Sequence, residues 1–527
     1  MSETQYILTN TINVLTRQKD KTFHWADYAF FARWWKDQDE TMRYNTKLLI
    51  EENRFIFING GWVMNDEAIP SYKQALIQMR LGLDMMNHTF GKRATIGWQV
   101  DPFGSSSVTV SNLHKLGYDA YIENRISNEF KDKLKNKDGY QFYWEGHKVS
   151  KDKLESNLFC YILQFFYVLP QVRFDQDFID IDKSGSYRDV FYNIEIDRAI
   201  KSFNAITNGN ISEYHVMIPF GDDFGFQNAE DVFVETDKLI SNLTELGSSK
   251  GYNTTIKYSN LYEYFKILKT QNITFGQFKG DFLPYQEAFT HSNDYWTGFY
   301  STKLHLKRQI VHVFNELQTT KLFLAIRVLS KYRSLVSLNK TVINYIDHIN
   351  GKIDEATKLF SILMHHDGIT GTNKRITEAD YYIILKDSLK SIIQARKMIQ
   401  LFKNSIDKVT RTMMKNTVSK LDNLEVFHYT VINPNGYERD EIINVTLPKS
   451  DNNDNYAFVI QHSFESKIDT NVTAYKVDLY NMDNDYKKPK VETKAFVKVK
   501  VPALGDTQIY LLKFSGDKRK CVEANIK

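Results

Sequence analysis

The stretch Gly97-Trp98-Gln99-Val100-Asp101-Pro102-Phe103-Gly104 decides how the chain is read. Ile96, Trp98 and Val100 alternate with smaller or polar neighbours, which predicts a short strand. That strand runs into Asp101 and is stopped by Pro102 and Gly104. A carboxylate at a strand exit, followed by a rigid turn, faces a crevice, and α/β sheets and barrels place their chemistry at that end of a strand. Local pattern alone favours a plainer role, an Asp that caps the turn after it. Company elsewhere in the chain argues for chemistry.

Working outward, strand and helix alternate. Phe23 to Phe31 is an apolar and aromatic run, and Arg54-Phe55-Ile56-Phe57-Ile58 is a strand ended by Gly60-Gly61. Tyr72, Leu76, Met79, Leu83 and Met86 step by three and four, an amphipathic helix closed by Gly91. After Asp101 come a helix over Val108–Leu116 and a strand at Ala120-Tyr121-Ile122, so the order argues for parallel βαβ units. Leu158 to Leu169 reads as one or two buried strands. Tyr214 to Phe220 reads as a strand that empties into Gly221-Asp222-Asp223-Phe224-Gly225, with a helix from Ala229 to Leu246, and Phe278 to Tyr285 as a last strand.

From Leu304 to Leu421 long helical periodicities run without proline, interrupted at His365-His366-Asp367-Gly368-Ile369-Thr370-Gly371-Thr372. From Phe427 the period becomes two: Thr430 to Ile432 is a strand that turns at Asn433 to Gly436, and Lys498 and Lys500 alternate with Val497, Val499 and Val501. The expected fold is a parallel-stranded, barrel-like α/β domain over residues 1–295. A helical bundle carrying the His-His-Asp loop follows over 296–421, and the start of an all-β sandwich over 422–527.

Composition narrows the function. With 527 residues, several domains are expected. Lys+Arg 68 against Asp+Glu 64 leaves +4, spread along the chain, which argues against a nucleic-acid partner. The longest apolar run falls short of the ~20 residues of a membrane helix, and no signal peptide is visible after Met1. Cys160 and Cys521 match no metal or redox spacing. Sequons such as Asn87-His88-Thr89 are weak evidence for a secretory route. The oligomeric state is open, a homo-oligomer included.

Asp101, Asp223 and His366 each sit at a break in regular structure. Two carboxylates in distinct surroundings are what glycosidic bond cleavage needs, one ionised and one a proton donor. A neutral imidazole beside an Asp is also raw material for a zinc site, although a helix-terminal His pair satisfied by backbone is the simpler reading of His365-His366 taken alone.

Five motifs now occur together: Phe30 to Trp35, Asn59 to Ala68, Trp98 to Gly104, Tyr295 to Tyr300 and His365 to Thr372. In this order and spacing they closely resemble the class II α-mannosidases, the retaining, zinc-dependent family of the lysosomal and Golgi enzymes. The lysosomal type is nearest, given Asn65 and Gly368. The resemblance implies that Asp101 is nucleophile and zinc ligand, Asp223 the general acid and then base, and His366 a second zinc ligand. It implies that Arg125 restrains Asp101, and that Phe103, Trp296 and Asp367 line a mannose pocket. Zn2+ would hold sugar hydroxyls, the substrates would be mannose-containing oligosaccharides, and the location would be the lysosome or secretory pathway.

The family takes two more zinc ligands from a His-x-Asp motif ahead of the segment matching Gln5-Tyr6-Ile7-Leu8, and none precedes that segment here. Its β region after the helices is longer as well. The chain is therefore expected to be an internal portion of a mannosidase or a diverged, inactive glycan-binding relative, with little activity as written. A zinc deacetylase-like hydrolase is the third reading, and it leaves Asp223 without a task.

Overall fold

A computed structural model describes residues 2–137, 140–147, 156–163, 213–251, 253–271, 273–287, 294–331, 340–401, 422–433, 438–448, 454–462, 468–469, 474–481, 490–501 and 506–515, with Tyr167 and a few positions between 196 and 204. The expected strand beyond Leu163, the end of the helical bundle at 402–421 and the turn at 434–436 lie outside the described residues. Contacts divide the chain into two compact units, one of 1–312 with 357–388 and one of 313–356 with 389–527.

The first unit opens with helix α1 (Ser2–Arg17), strand β1 (Phe23–Trp25), helices α2 (Tyr28–Lys36) and α3 (Glu40–Glu51) and strand β2 (Phe55–Phe57). β1 and β2 pair in parallel, Phe23 opposite Phe55. The aromatic run splits between β1 and α2 because its rings must meet β2. Phe31, fully buried on α2, sets its ring edge-on to Phe57 at 4.8 Å and close to Phe55 at 5.8 Å. Helix α4 (Tyr72–Phe90) is the expected amphipathic helix. Ser71 and Gln74 form a reciprocal cap at its start, and Gly91 closes it in the left-handed conformation.

Strand β3 (Ile96–Gln99), helix α5 (Ser107–Lys115) and strand β4 (Ala120–Glu123) form a parallel βαβ unit, with Gln99 opposite Glu123. After α6 (Asn128–Lys137), β5 (Gln141–Glu145), β6 (Asn157–Ile162) and β7 (Gly276–Lys279) complete a five-stranded sheet in the order β3-β4-β6-β5-β7. The sheet is mixed, which corrects the all-parallel expectation: β5 runs antiparallel to β6. Only 11 positions separate the end of β5 from the start of β6 in sequence, a hairpin-scale connection that needs no crossover helix. Ile96, Ile122, Phe159 and Tyr161 from these strands, Val100 just past β3 and Ile56 of β2 share a core with Leu261, Tyr264 and Phe265 of the helix Leu261–Thr270.

Of two other expected strands, one is not a strand and one is shorter than its sequence suggests. Tyr214 to Phe220 is irregular, and its half-buried Tyr214, Ile218 and Phe220 pack against the helix Ala229–Ser249. The last strand ends at Lys279, short of Tyr285, because Gly280 turns the chain and Asp281 caps α5 by accepting from the Ser107 amide at 2.6 Å.

The turn after Asp101 requires a glycine. Gly104 has φ +93°, and a Cβ there would lie 2.5 Å from the Phe282 carbonyl oxygen. Gly104→Ala should therefore lower stability by about 1–3 kcal/mol, through overpacking against backbone together with a strained φ. Chemical denaturation checks this, and an unchanged midpoint would contradict it.

Helices Leu304–Lys331, Lys340–Ile362 and Arg375–Leu401 confirm the long helical periodicities among the described residues, with the His-His-Asp segment as the turn between the second and third. In the second unit two antiparallel sheets share one core. Val445, Val497 and Val499 come from one sheet and Ile460, Ile509 and Leu511 from the other. Buried Val497, Val499 and Val501 alternate with exposed Lys498 and Lys500 as their sequence predicts.

Candidate active site

Asp101 emerges from the loop after β3. Its Oδ1 accepts from Arg125 Nε at 2.8 Å and also from the Arg125 Nη2, while its Oδ2 faces His366 Nε2 at 3.0 Å. Neither oxygen serves the turn amides, so the capping role is not the one it plays. Arg125 reaches it from two residues past β4, on the neighbouring parallel strand.

His366 is placed by backbone. The loop after β2 runs beside the His-His-Asp turn: the His366 amide donates to the Met64 carbonyl at 3.2 Å, and the Asp66 amide to the Met364 carbonyl at 3.0 Å. The Met64 carbonyl also accepts from His366 Nδ1 at 2.9 Å, so Nδ1 carries a hydrogen and Nε2 points at Asp101. Two motifs separated by some three hundred residues are thus one structural feature.

Charges follow from this geometry. Burial pushes the Asp101 carboxyl up, but the His366 hydrogen bond and charge, with Arg125, outweigh it and hold it well below the usual carboxylate range. Burial lowers His366, yet the bond to Asp101 lifts it to about 9. Both partners shift toward an ion pair. Asp223 lies on the turn before the helix Ala229–Ser249 and is exposed overall. Its carboxyl is nonetheless raised, by desolvation first and then by the negative charges of Asp101, Asp222 and Asp367. The two carboxylates are pushed apart in pKa, one down and one up.

Aromatic rings wall the site. Phe103, buried, packs against Trp296 at 4.9 Å and Phe299 at 5.3 Å, and stands edge-on to His366 at 6.1 Å. The Arg125 guanidinium sits 5.3 Å from the Phe103 ring and 5.4 Å from that of Trp296. Asp367 is half-buried, its amide donating to His365 Nδ1 at 3.2 Å and its Oδ1 accepting from the Thr372 hydroxyl. Asp101, Arg125, His366, Phe103 and Trp296 are thus brought into direct contact. Asp223 and Asp367 join through their charges.

Two neighbours escaped the sequence reading. Asp27 follows β1, and its Oδ1 accepts from the Met64 amide at 2.6 Å. Burial raises it to about 6, helped by the charges of Asp223 and Asp101. It is a carboxylate just past a strand, the same signal that singled out Asp101, and that signal could have found it. The Tyr167 hydroxyl bonds Asp101 and is pushed up by burial and by both catalytic-candidate carboxylates. No local pattern marked it.

A model of the glycosyl hydrolases family 38 N-terminal domain matches residues 1–288. The chain belongs to glycosyl hydrolase family 38. It is 28% identical over 456 residues to alpha-mannosidase F of Dictyostelium discoideum, covering 85% of this chain and 43% of that protein. It is 29% identical over 391 residues to the human lysosomal alpha-mannosidase, covering 72% and 36%. The chain spans less than half the length of both relatives. An alpha-mannosidase from Enterococcus faecalis V583 shares the fold with a TM-score of 0.60 at 13% identity, over 98% of this chain and 54% of that one.

A zinc site takes at least three protein ligands. Among the described residues no group of three or more His, Cys, Asp or Glu side chains could hold a metal ion. Asp101 and His366 are present as a pair, and the Nδ1–H bond to Met64 is the outer-shell support a metal-bound imidazole needs, but the described set does not fit a complete site. Purified as this 527-residue chain, the protein should bind zinc far more weakly than a four-ligand site does. Tight stoichiometric zinc, measured by competition with a chromophoric chelator, would contradict this.

Proposed function

We propose that the protein carrying this chain is a retaining α-mannosidase that hydrolyses terminal α-mannose of N-glycan-type oligosaccharides. The observation that supports this best is the separation of two carboxylates by environment, Asp101 held ionised and Asp223 held toward its acid form, beside an aromatic wall. On this reading the Asp101 carboxylate attacks the anomeric carbon as Asp223 protonates the leaving oxygen, giving a mannosyl-Asp101 ester. Asp223, now a carboxylate, then deprotonates the water that hydrolyses the ester. Arg125 keeps Asp101 charged and aimed. Phe103 and Trp296 take the apolar C–H face of the sugar and Asp367 its hydroxyls. Zinc, if further residues complete its ligand set beside Asp101 and His366, would hold mannose hydroxyls, and no step above depends on it. A retaining site expects the two carboxyls about 5–5.5 Å apart.

The same reading includes a barrel-like closure of the α/β unit, a β-sandwich begun by the two antiparallel sheets, and residence in the lysosome or secretory route. Among the described residues no helix is long and apolar enough to cross a membrane.

The test is a pH–rate profile with an α-mannoside. Glycosylation needs Asp223 protonated and Asp101 ionised. kcat/KM should therefore fall as pH rises through the raised Asp223 pKa and persist at acidic pH, where Asp101 stays charged. A rate that climbs steadily from acid to neutral pH would contradict the assignment.

A further inference from the structure

Behind the Asp101 loop lies a second pair of carboxylates that the reaction does not touch. Tyr121 and Glu123 are two residues apart on β4 and so share one face of the strand, and both are fully buried. Glu67, from the loop after β2, meets them there. The Tyr121 hydroxyl lies 2.6 Å from Glu67 Oε1 and 2.8 Å from Glu123 Oε2, and the Ser105 hydroxyl bonds Glu123 Oε2.

These three contacts to carboxylate oxygens need three hydrogens. Tyr121 and Ser105 have one hydroxyl hydrogen each. With both carboxyls ionised, one contact would set two oxygens together with no hydrogen between them. One acid proton gives each carboxylate contact its hydrogen: Ser105 donates to Glu123, Glu123 to Tyr121, and Tyr121 to Glu67, with the Ser105 and Tyr121 hydroxyl oxygens, which both meet Glu123 Oε2, 3.0 Å from each other. Glu67 is then the charged end, and two further donors reach it. Its Oε2 accepts from the Ser106 amide at 2.7 Å, and its Oε1 from Gln99 Nε2 at 3.3 Å. Glu123 Oε1 accepts from the Arg125 amide at 3.1 Å.

We propose that Glu67 and Glu123 share a single proton at neutral pH through Tyr121, and that this pair is a positioning device for the active site. It fastens three strand exits at once: the loop that carries Met64 and so seats His366, the segment Ser105-Ser106 that follows Asp101, and the backbone of Arg125. The electrostatics agree: burial, helped by the charge of Asp66, raises Glu67 to about 7, and burial with the charge of Glu67 raises Glu123 to about 8. The titratable groups facing the pair are Tyr121 on β4, Asp66 beside Glu67, Cys160 on β6 and Lys131 on α6.

The positioning role rests on the glycosidase reading, whereas the shared proton does not, so two measurements separate them. In infrared difference spectra of the full chain at pH 7, the wild type should show a buried protonated carboxyl band that Glu123→Gln removes. Absence of the band in the wild type overturns the proposal and needs no variant, and so does a band that Glu123→Gln leaves intact. Folded pKa values above the unfolded ones mean stability is complete below about pH 4.5 and is lost as pH rises through 7 to 8. The wild-type melting temperature should therefore fall over that range more steeply than that of Glu123→Gln, and parallel curves would count against the pair. In turnover of an α-mannoside, Glu123→Gln should stay within about threefold of wild type, since the amide can replace the acid as donor. Glu123→Ala should lose kcat by about 10²-fold through misplacement, with KM little changed. Equal losses in Gln and Ala would overturn the positioning role. A band at pH 7 in a protein that cleaves no α-mannoside supports the shared proton and sinks the glycosidase reading.

Discussion

Replacing Asp101 with Asn in the protein that carries this chain should reduce turnover of an activated aryl α-mannoside by about 10⁴-fold or more. An amide can occupy the same space, yet it cannot form the ester on which both halves of the reaction depend, and loss of a nucleophile has effects of this order. The loss should be the same with good and poor leaving groups, because it falls on bond formation and not on protonation. Arg125 and the His366 imidazolium would also be left without the anion they face, so a modest change in stability should accompany it. Circular dichroism and melting separate that from the catalytic loss. Activity within tenfold of wild type would mean that Asp101 is not the nucleophile.

The second large effect divides the reaction. Asp223→Asn should slow hydrolysis of mannosides with ordinary sugar leaving groups by about 10²–10⁴-fold, the usual contribution of a general acid. An activated aryl mannoside needs little protonation, so its first step should survive. The second step still lacks its base, and stopped-flow release of the phenol should show a burst of about one equivalent followed by a slow steady state. The substitution should also remove the alkaline fall in kcat/KM for the aryl substrate. A variant that is equally slow toward both substrates, with no burst, would assign Asp223 some other role.

The part of the site that could be read from the sequence is the part set by local backbone chemistry. Pro102 and Gly104 announce a turn, and Gly104 does meet the Phe282 carbonyl too closely for any side chain. The spacing from Tyr72 to Met86, with Gly91 behind it, gives the helix, because capping and amphipathic period are local. Val497, Val499 and Val501 reveal their buried face by alternation.

What failed was set by contacts with other segments. Tyr214 to Phe220 has the look of a strand, but alternation records burial, which the segment reaches by packing on the helix Ala229–Ser249. The direction of β5 depends on how it meets β6, which its own residues do not encode. Tyr167 acquires meaning only when folding brings its hydroxyl to Asp101, whereas Asp27, just past a strand, carried the same signal as Asp101. Glu67 and Glu123 are unremarkable in sequence, and only the hydroxyl of Tyr121 makes them a pair.

The claim that most needs testing is that Asp101 carries the sugar. A fluorinated mannosyl fluoride that forms the ester faster than it hydrolyses should inactivate the protein in a time-dependent manner. Peptide mass mapping should then place one fluoromannosyl group on Asp101 and none in Asp101→Asn. An adduct on a different carboxylate, or hydrolysis to the β-anomer of mannose with no adduct at all, would contradict the account.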